Sequence, residues 1–275
     1  ARSALRKAQW RLMPFLLLLY FVNYLDRNNI GFAKLQLGQD LGLSASAYGL
    51  GAGIFFVAYF LLELPSNAAM VRFGARLWIA RILVVWGIVA ACMALARGPG
   101  SYVALRVLLG ASEAGFFPGV ILYLTLWFPA RIRVGMLGMF IIAQPLSNCL
   151  GAPVSGLLLQ MNGWLGLAGW QWLFILQGLP ATLLGIVTLF VLPDGPQQAR
   201  WLSDEERQWL QTTLDAENAV KSGHGKSFLD GLKHPSVLAL AGVYFATSFA
   251  IYGLSLWMPT IVGHFGGLDT LRIGL

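Results

Sequence analysis

The sequence predicts an all-α integral membrane protein, a helical bundle, and three observations predict it. Of 275 residues, 57% are hydrophobic and only 11% charged, against roughly 25% charged in an ordinary soluble domain. Several segments reach the about 20 mostly apolar residues that a helix needs to cross a bilayer. The basic residues, which give a net charge of +7, punctuate the ends of these runs instead of clustering on a polar surface. That placement is explained by orientation in a membrane, so no nucleic-acid partner is expected.

Taken in order, the expected spans are 12–32, 47–70, 77–96, 102–126, 134–159, 172–192 and 237–262. The opening "ARSALRKAQW" resembles the basic start of a signal peptide. The apolar run behind it is too long for such a peptide and lacks a small-residue cleavage site, so it reads as a retained first helix. Val134 to Pro193 carries no charge and is too long for one span; the Gly/Asn-rich "QMNGWLGLAGWQ" (160–171) divides it in two. Trp10, Trp78, Trp127, Trp172 and Trp257 mark span edges, where amphipathic rings settle. One side holds Arg2, Arg6, Lys7, Arg11, Arg72, Arg76, Arg131 and Arg133, whereas the other side's short loops hold only Lys34 and Arg97. This asymmetry predicts a multi-pass protein of the inner (plasma) membrane with a cytoplasmic N-terminus.

The hydrophilic connection 193–236 contains "SDEER" (203–207), a capping box in which Ser203 caps the helix and Glu206 reaches back. Trp209, Leu210 and Leu214 then give a helix an apolar stripe, suited to lying on the bundle or the membrane surface. The expected organisation is a six-helix transmembrane bundle (1–192), a central cytoplasmic loop (193–236), and a seventh helix with the start of a second half (237–275). Without an initiating Met and ending at "RIGL", the chain reads as a piece of a larger, monomeric protein. Cys92 and Cys149 lie apart inside apolar runs, and His224, His234 and His264 fall in or beside polar loops, so neither metal nor other cofactor is expected.

Ionisable groups inside spans cost about 2.5–3.5 kcal/mol each on insertion scales and default to functional candidates. They are Asp26, Arg27, Glu63, Arg81, Arg106 and Glu113. At about 1.5 Å per residue, Asp26 and Arg27 lie about 21–22 Å in from Leu12, while Arg106 and Glu113 lie about 6 and 16 Å in from the opposite end of an oppositely directed helix. Asp26, Arg27, Arg106 and Glu113 therefore converge in depth. Tyr20, Asn23, Tyr24 and Arg27 follow i, i+3, i+4, i+7, one polar stripe. Gln144 and Asn148 form another, as do Tyr244, Ser248 and Tyr252. Such stripes must line a shared interior. Arg81, near a span end, snorkels to the interface. Glu63, close to the cytoplasmic end and four residues after Tyr59, suits a gate or a structural ion pair equally.

Two arginines at one depth offer bidentate recognition of a carboxylate or phosphate. A carboxylate beside them holds an arginine when ionised and frees it when protonated. That cycle predicts symport of a proton with a small organic anion. The same cavity would serve an exchanger or exporter without proton flow, and a non-transporting sensor or scaffold is the reading from another class. An intramembrane enzyme lacks its nucleophile–base pair or metal ligands.

"YLDRNNIGFA" (24–33), "PSNAAMVRFGAR" (65–76), "EAGFFPGVILYLTLWFP" (113–129), "GWQWLF" (169–174) and "WLSDEER" (201–207) together resemble the anion:cation symporter family of the major facilitator superfamily. "YGLSLWMPTIV" (252–262) resembles the seventh helix of its tartrate- and phthalate-type members. The resemblance covers essentially the whole chain, in order. It implies a twelve-helix fold of two six-helix halves with alternating access, and a substrate such as a sugar acid, a tartrate-like dicarboxylate or an aromatic carboxylate. By motif position it implies Asp26 and Glu113 as proton-coupling carboxylates, and Arg27, Arg106, Gln144, Tyr24, Tyr59 and Asn148 as substrate contacts. Arg72, Arg76 and Glu63 would serve the inner gate. There the chain departs from the superfamily pattern G-x-x-x-D-R-x-G: Asn67 stands for the first glycine and Val71 for the acid, which leaves the gate's charge relay without its carboxylate.

Overall fold

The computed structural model describes residues 2–222 and 234–266, and these are helical almost throughout. Helix α1 runs from Arg2 to Asp40 without a break. Its 39 residues make it about 58 Å long, far more than the about 30 Å of a hydrocarbon core. The basic opening is thus continuous with the first helix. Next come α2 (Ala45–Phe73) and α3 (Ala75–Cys92, extended by a 3-10 turn to Leu95). They are followed by α4 (Pro99–Glu113), α5 (Phe116–Thr125), α6 (Ala130–Ile141) and α7 (Ala143–Leu159). Helices α8 (Gly169–Val191), α9 (Asp204–Ser222) and α10 (Pro235–Gly266) complete the described chain.

Six stretches are long and apolar enough to cross a membrane: Ala45–Phe73, Ala75–Leu95, Pro99–Thr125, Ala130–Leu159, Gly169–Val191 and Pro235–Met258. All the expected spans after the first fall on these six, within a few residues. The first, 12–32, lies inside α1, whose hydropathy is lowered by Asn23, Asp26, Arg27, Asn28 and Asn29. These polar residues need company, and α1 finds it by packing against α6, α7, α8 and α10.

Two spans are made of paired helices, and proline chemistry explains both. Proline has no N–H and its ring crowds the carbonyl four residues back. Ala114 and Ile141 stand four residues before Pro118 and Pro145, and the backbone departs from the regular ladder at those points. At the first break Gly115 adopts φ 87°, and a Cβ there would collide with the Ser66 side chain. Only glycine meets both demands. Pro153 stays within α7 without ending it.

Lipid supplies no hydrophobic drive between helices, so small residues that let backbones approach become the adhesive. Helices α3 and α8 meet through Gly87, Gly178 and Gly185; a Cβ on Gly178 would lie 2.7 Å from the Gly87 carbonyl and 2.8 Å from the Ala91 nitrogen. Helices α2 and α4 meet where Gly110 faces the Phe55 carbonyl and Gly51 faces Tyr102. Large side chains such as Trp86, Phe116, Tyr123, Trp127 and Phe140 fill the interior. Apolar residues also clad the outside: Phe60 is 73% and Phe190 84% exposed, a surface suited to lipid or to packing against further protein.

Helix α9 crosses the end of the bundle where α1 begins, called here the basic end. The capping box forms as read: the Ser203 amide donates to Glu206 Oε2 (3.0 Å) and the Glu206 amide to Ser203 Oγ (3.3 Å). Leu210 and Leu214 are buried in one cluster with Ala4 and Ala8 of α1, and Trp209 packs against it. Lys7 donates to Glu206 at 2.8 Å, Trp201 stacks on Trp127, and Glu217 accepts from the Ala130 amide at 3.0 Å, capping α6. The stripe thus lies on the bundle.

Candidate functional site

Midway along α1 the polar face meets α4. Glu113 Oε1 accepts from Asn23 Nδ2 at 2.7 Å and from Arg27 Nε at 2.8 Å, and Arg27 Nη2 closes the ion pair at 2.7 Å. Arg27 Nη1 donates to Tyr252 Oη of α10 at 2.9 Å. The guanidinium carbon stands 5.0 Å from the Tyr59 ring centroid and 5.9 Å from those of Tyr24 and Phe55. Charge, hydrogen bonds and ring quadrupoles thus hold this cation from several sides.

Arg106 stands in different company. Its Nε donates to the Gly51 carbonyl at 3.1 Å and its guanidinium lies 4.6 Å from the Phe55 ring centroid. Among the described residues it pairs with no carboxylate, although its side chain is buried. Asp26 is equally buried and among the described residues forms no direct salt bridge: Trp86 Nε1 donates to it at 2.7 Å and Asn29 Nδ2 at 2.9 Å, with Arg106 lining the same cavity. Asp26, Arg27, Arg106 and Glu113, with Asn28, Phe55, Phe56, Leu109, Tyr252 and Leu256, line one cavity of about 10 Å³. That is room for about one water.

The structure therefore brings the four span charges together, as their depths predict, and divides them into one ion pair, one lone guanidinium and one lone carboxylate. Tyr24 and Tyr59 flank Arg27. Asn148 is exposed and accepts from Asn28 at 2.7 Å, so it joins the edge of the set, while Gln144 is half-buried on α7 outside the cavity lining. Tyr20 differs from its reading as a cavity aromatic: it stacks on Phe140 at 4.3 Å and packs beside Phe117, in the core between α1, α5 and α6. Tyr244, read on one stripe with Tyr252, is 73% exposed.

The inner-gate candidates do not form one cluster. Arg72 is exposed over the Phe73 ring and Glu63 is half-buried on α2, with neither paired to the other. Arg76 has an acid, and it comes from 118 residues away. Asp194, just after α8, accepts from the Arg76 backbone amide at 2.8 Å and approaches its Nε at 3.6 Å. A carboxylate thus caps the N-terminus of α3 where the local pattern offers only Val71. Arg81 lies 4.9 Å from the Trp78 ring at the same end.

Four contributors escaped the sequence reading. Trp86 carried a signal, since a buried indole N–H seeks an acceptor and an apolar span offers few. Asp194 also carried one, being the first charge after the long uncharged run. Phe55 and Phe56 carried none. Among the described residues no cluster of metal-ligating side chains occurs. Cys92 and Cys149 are both unpaired, and His224 lies outside the described residues.

Comparison with known proteins supplies the remaining findings. The Major Facilitator Superfamily description matches residues 16–275. A protein of Agrobacterium vitis whose name provisionally gives it as a tartrate transporter is 54% identical over 270 residues, which is 98% of this chain and 62% of that protein. A protein of Acinetobacter baumannii named a quinolone resistance transporter is 46% identical over 275 residues, covering 99% of this chain and 63% of that one. The chain thus spans about three fifths of the curated relatives it matches. Among solved structures, a bacterial homologue of the human lysosomal transporter Spinster, inward-facing and unoccupied, aligns with a TM-score of 0.77 at 17% identity. That alignment covers all of this chain and 58% of the other, and it speaks for the fold alone.

Proposed function

The chain belongs to the major facilitator superfamily, and from that premise we propose that the protein takes up a small organic anion together with a proton. The observation that carries this reading is Arg106: a buried guanidinium with no carboxylate partner, beside a second guanidinium that a carboxylate holds at 2.7 Å. A buried cation without a counter-ion is costly, and an incoming carboxylate or dicarboxylate answers that cost at Arg106.

Coupling follows from the Arg27–Glu113 pair. Ionised, Glu113 holds Arg27 through a hydrogen bond from Nε and an ion-pair contact with Nη2. Protonated, it loses the charge that held the guanidinium, and Arg27 turns to the second carboxylate oxygen of the substrate. Release of the proton on the far side restores the pair and expels the anion. Asp26, set between Trp86 and Asn29, is a second proton site, where protonation removes a buried charge that no direct salt bridge holds among the described residues. Tyr24, Tyr59 and Asn148 line the approach, with Gln144 further along α7. Tartrate-like dicarboxylates, sugar acids and aromatic carboxylates all match two guanidinia within an aromatic wall, and the Agrobacterium relative's name favours the first. At the basic end, Arg76 with Asp194 acts as the inner gate on the cytoplasmic side, and Arg72 and Glu63, which stand apart from that pair, serve it as separate charges. The Acinetobacter relative's name favours a second reading, export or exchange without proton flow.

One experiment separates them. Cells expressing the full-length protein are held in weak buffer without an energy source and given organic acids singly while external pH is recorded. Alkalinisation with one acid, absent from Glu113→Gln cells that still exchange labelled acid, is the expected result. Uptake of label with unchanged external pH replaces symport with exchange.

A further inference from the structure

The basic opening of α1 does more than the inside–outside asymmetry requires. Ala4, Ala8 and Leu12 are fully buried, and this face packs with Leu210 and Leu214 of α9. Arg2, Arg6 and Trp10 follow i, i+4, i+8 and share another face of the same helix. All three are exposed, Trp10 to 72%. With Ser3 and Lys7 they line an open concavity of about 410 Å³. Lys7 is tied to Glu206 at 2.8 Å, but among the described residues Arg2 and Arg6 face no acidic side chain. Arg11, one position beyond Trp10, is exposed as well.

Position gives this face its partner. The expected span starts at Leu12, so Trp10 sits at the edge of the hydrocarbon and Arg6 and Arg2 stand about 9 and 15 Å beyond Leu12 along the axis. The headgroup layer is about 5–8 Å deep on each face, so Trp10 lies at its inner edge, where tryptophan gathers, and the long Arg6 and Arg2 side chains reach phosphates at its outer edge from just beyond it. Two unpaired guanidinia a helical turn apart fit a phosphodiester, each able to give it two parallel hydrogen bonds. Basic clusters next to a span are recruited by anionic lipid surfaces.

We propose that Arg2, Arg6 and Trp10 form a binding site for the headgroup of an anionic phospholipid in the leaflet on which α1 begins. The phosphodiester bridges the two guanidinia, Trp10 lies along the glycerol region, and Lys7 joins the site while clasping α9 through Glu206. A lipid seated there braces the α1–α9 clasp from the side that protein leaves uncovered.

The test uses the full-length protein, purified and delipidated, with phosphatidylglycerol retention measured by native mass spectrometry against phosphatidylcholine. Wild type should retain phosphatidylglycerol preferentially, and Arg2→Gln/Arg6→Gln should weaken that retention about tenfold. Arg2→Lys/Arg6→Lys, which keeps the charge, should recover part of it and shows that the loss is not misfolding. Equal retention by wild type and the glutamine variant overturns the site. An equal loss in Arg97→Gln, an exposed arginine at the opposite end, also overturns it by showing that only net charge matters. Displacement of the lipid by equimolar inorganic phosphate overturns the lipid as occupant.

Discussion

Arg27 and Arg106 carry the same charge and differ in what answers it. Arg27 is held by Glu113, Tyr252 and three rings, whereas Arg106 has one backbone carbonyl and the face of Phe55. Their convergence was legible, because helix rise converts sequence position into depth. The division of labour was not, because it turns on which residue of α1 faces Glu113, and both Asp26 and Arg27 lie within reach of α4. Asn23 and Arg27, four apart, point together at Glu113, and Asp26 is turned toward Trp86 on α3. The proposal that Arg106 receives the anion makes its geometry matter beyond its charge. Arg106→Lys keeps a cation but loses the planar fork, so the KM for the anion should rise about tenfold or more with little change in the melting temperature. Uptake kinetics of labelled substrate check this. An unchanged KM with a slower maximal rate would move the anion to Arg27.

At the scale of elements, periodicity located the spans and missed where they bend. Each long span reads as one apolar run, and composition does not show that the backbone breaks four residues before Pro118 and Pro145. The proline rule predicts such breaks but also predicts one in α7, where Pro153 causes none. Helix α9 was legible in full, since its capping box and apolar stripe are local patterns. What holds it down is not local: Lys7 to Glu206 and Glu217 to the α6 amide join positions 199 and 87 residues apart. These clasps give docking a pH dependence. The Lys7 hydrogen bond, helped by the Ser203 amide, holds the Glu206 carboxyl down at about 2. A group depressed in the docked state adds stability above its free value, roughly 4.5, and loses it as pH falls toward about 2. Helix α9 should therefore stay clasped at pH 7 and loosen progressively below about pH 4.5, seen as a fall in amide protection over 204–217 relative to the intrinsic exchange rate at each pH. Glu206→Gln should exchange faster at pH 7 and show a shallower acid step; an undiminished step would mean that Glu206 does not carry the acid sensitivity.

At the scale of the whole molecule, contacts among the described residues join α1, α2 and α10 at the end opposite the basic one. Lys34 Nζ lies 3.4 Å from the Trp257 ring centroid and 5.0 Å from that of Tyr48. Tyr48 Oη donates to Leu256 O at 3.4 Å and to Ile30 O at 3.2 Å, and Tyr252 reaches Arg27 below. An anion entering from this side meets that contact before it meets Arg106. Alternating access by rocking of one helix set against another requires the contact to part in every cycle. The tightly interlocked glycine face of α3 and α8 lies within a single set and moves as one piece. With Cys92 and Cys149 replaced by serine, a short bridge between Lys34→Cys and Trp257→Cys should therefore stop uptake and release it on reduction. A bridge between cysteines placed on facing turns of α3 and α8 should leave uptake near the unbridged rate. Transport that continues through the first bridge would mean that α1 and α10 travel together, and the route to Arg106 would then open between other helices.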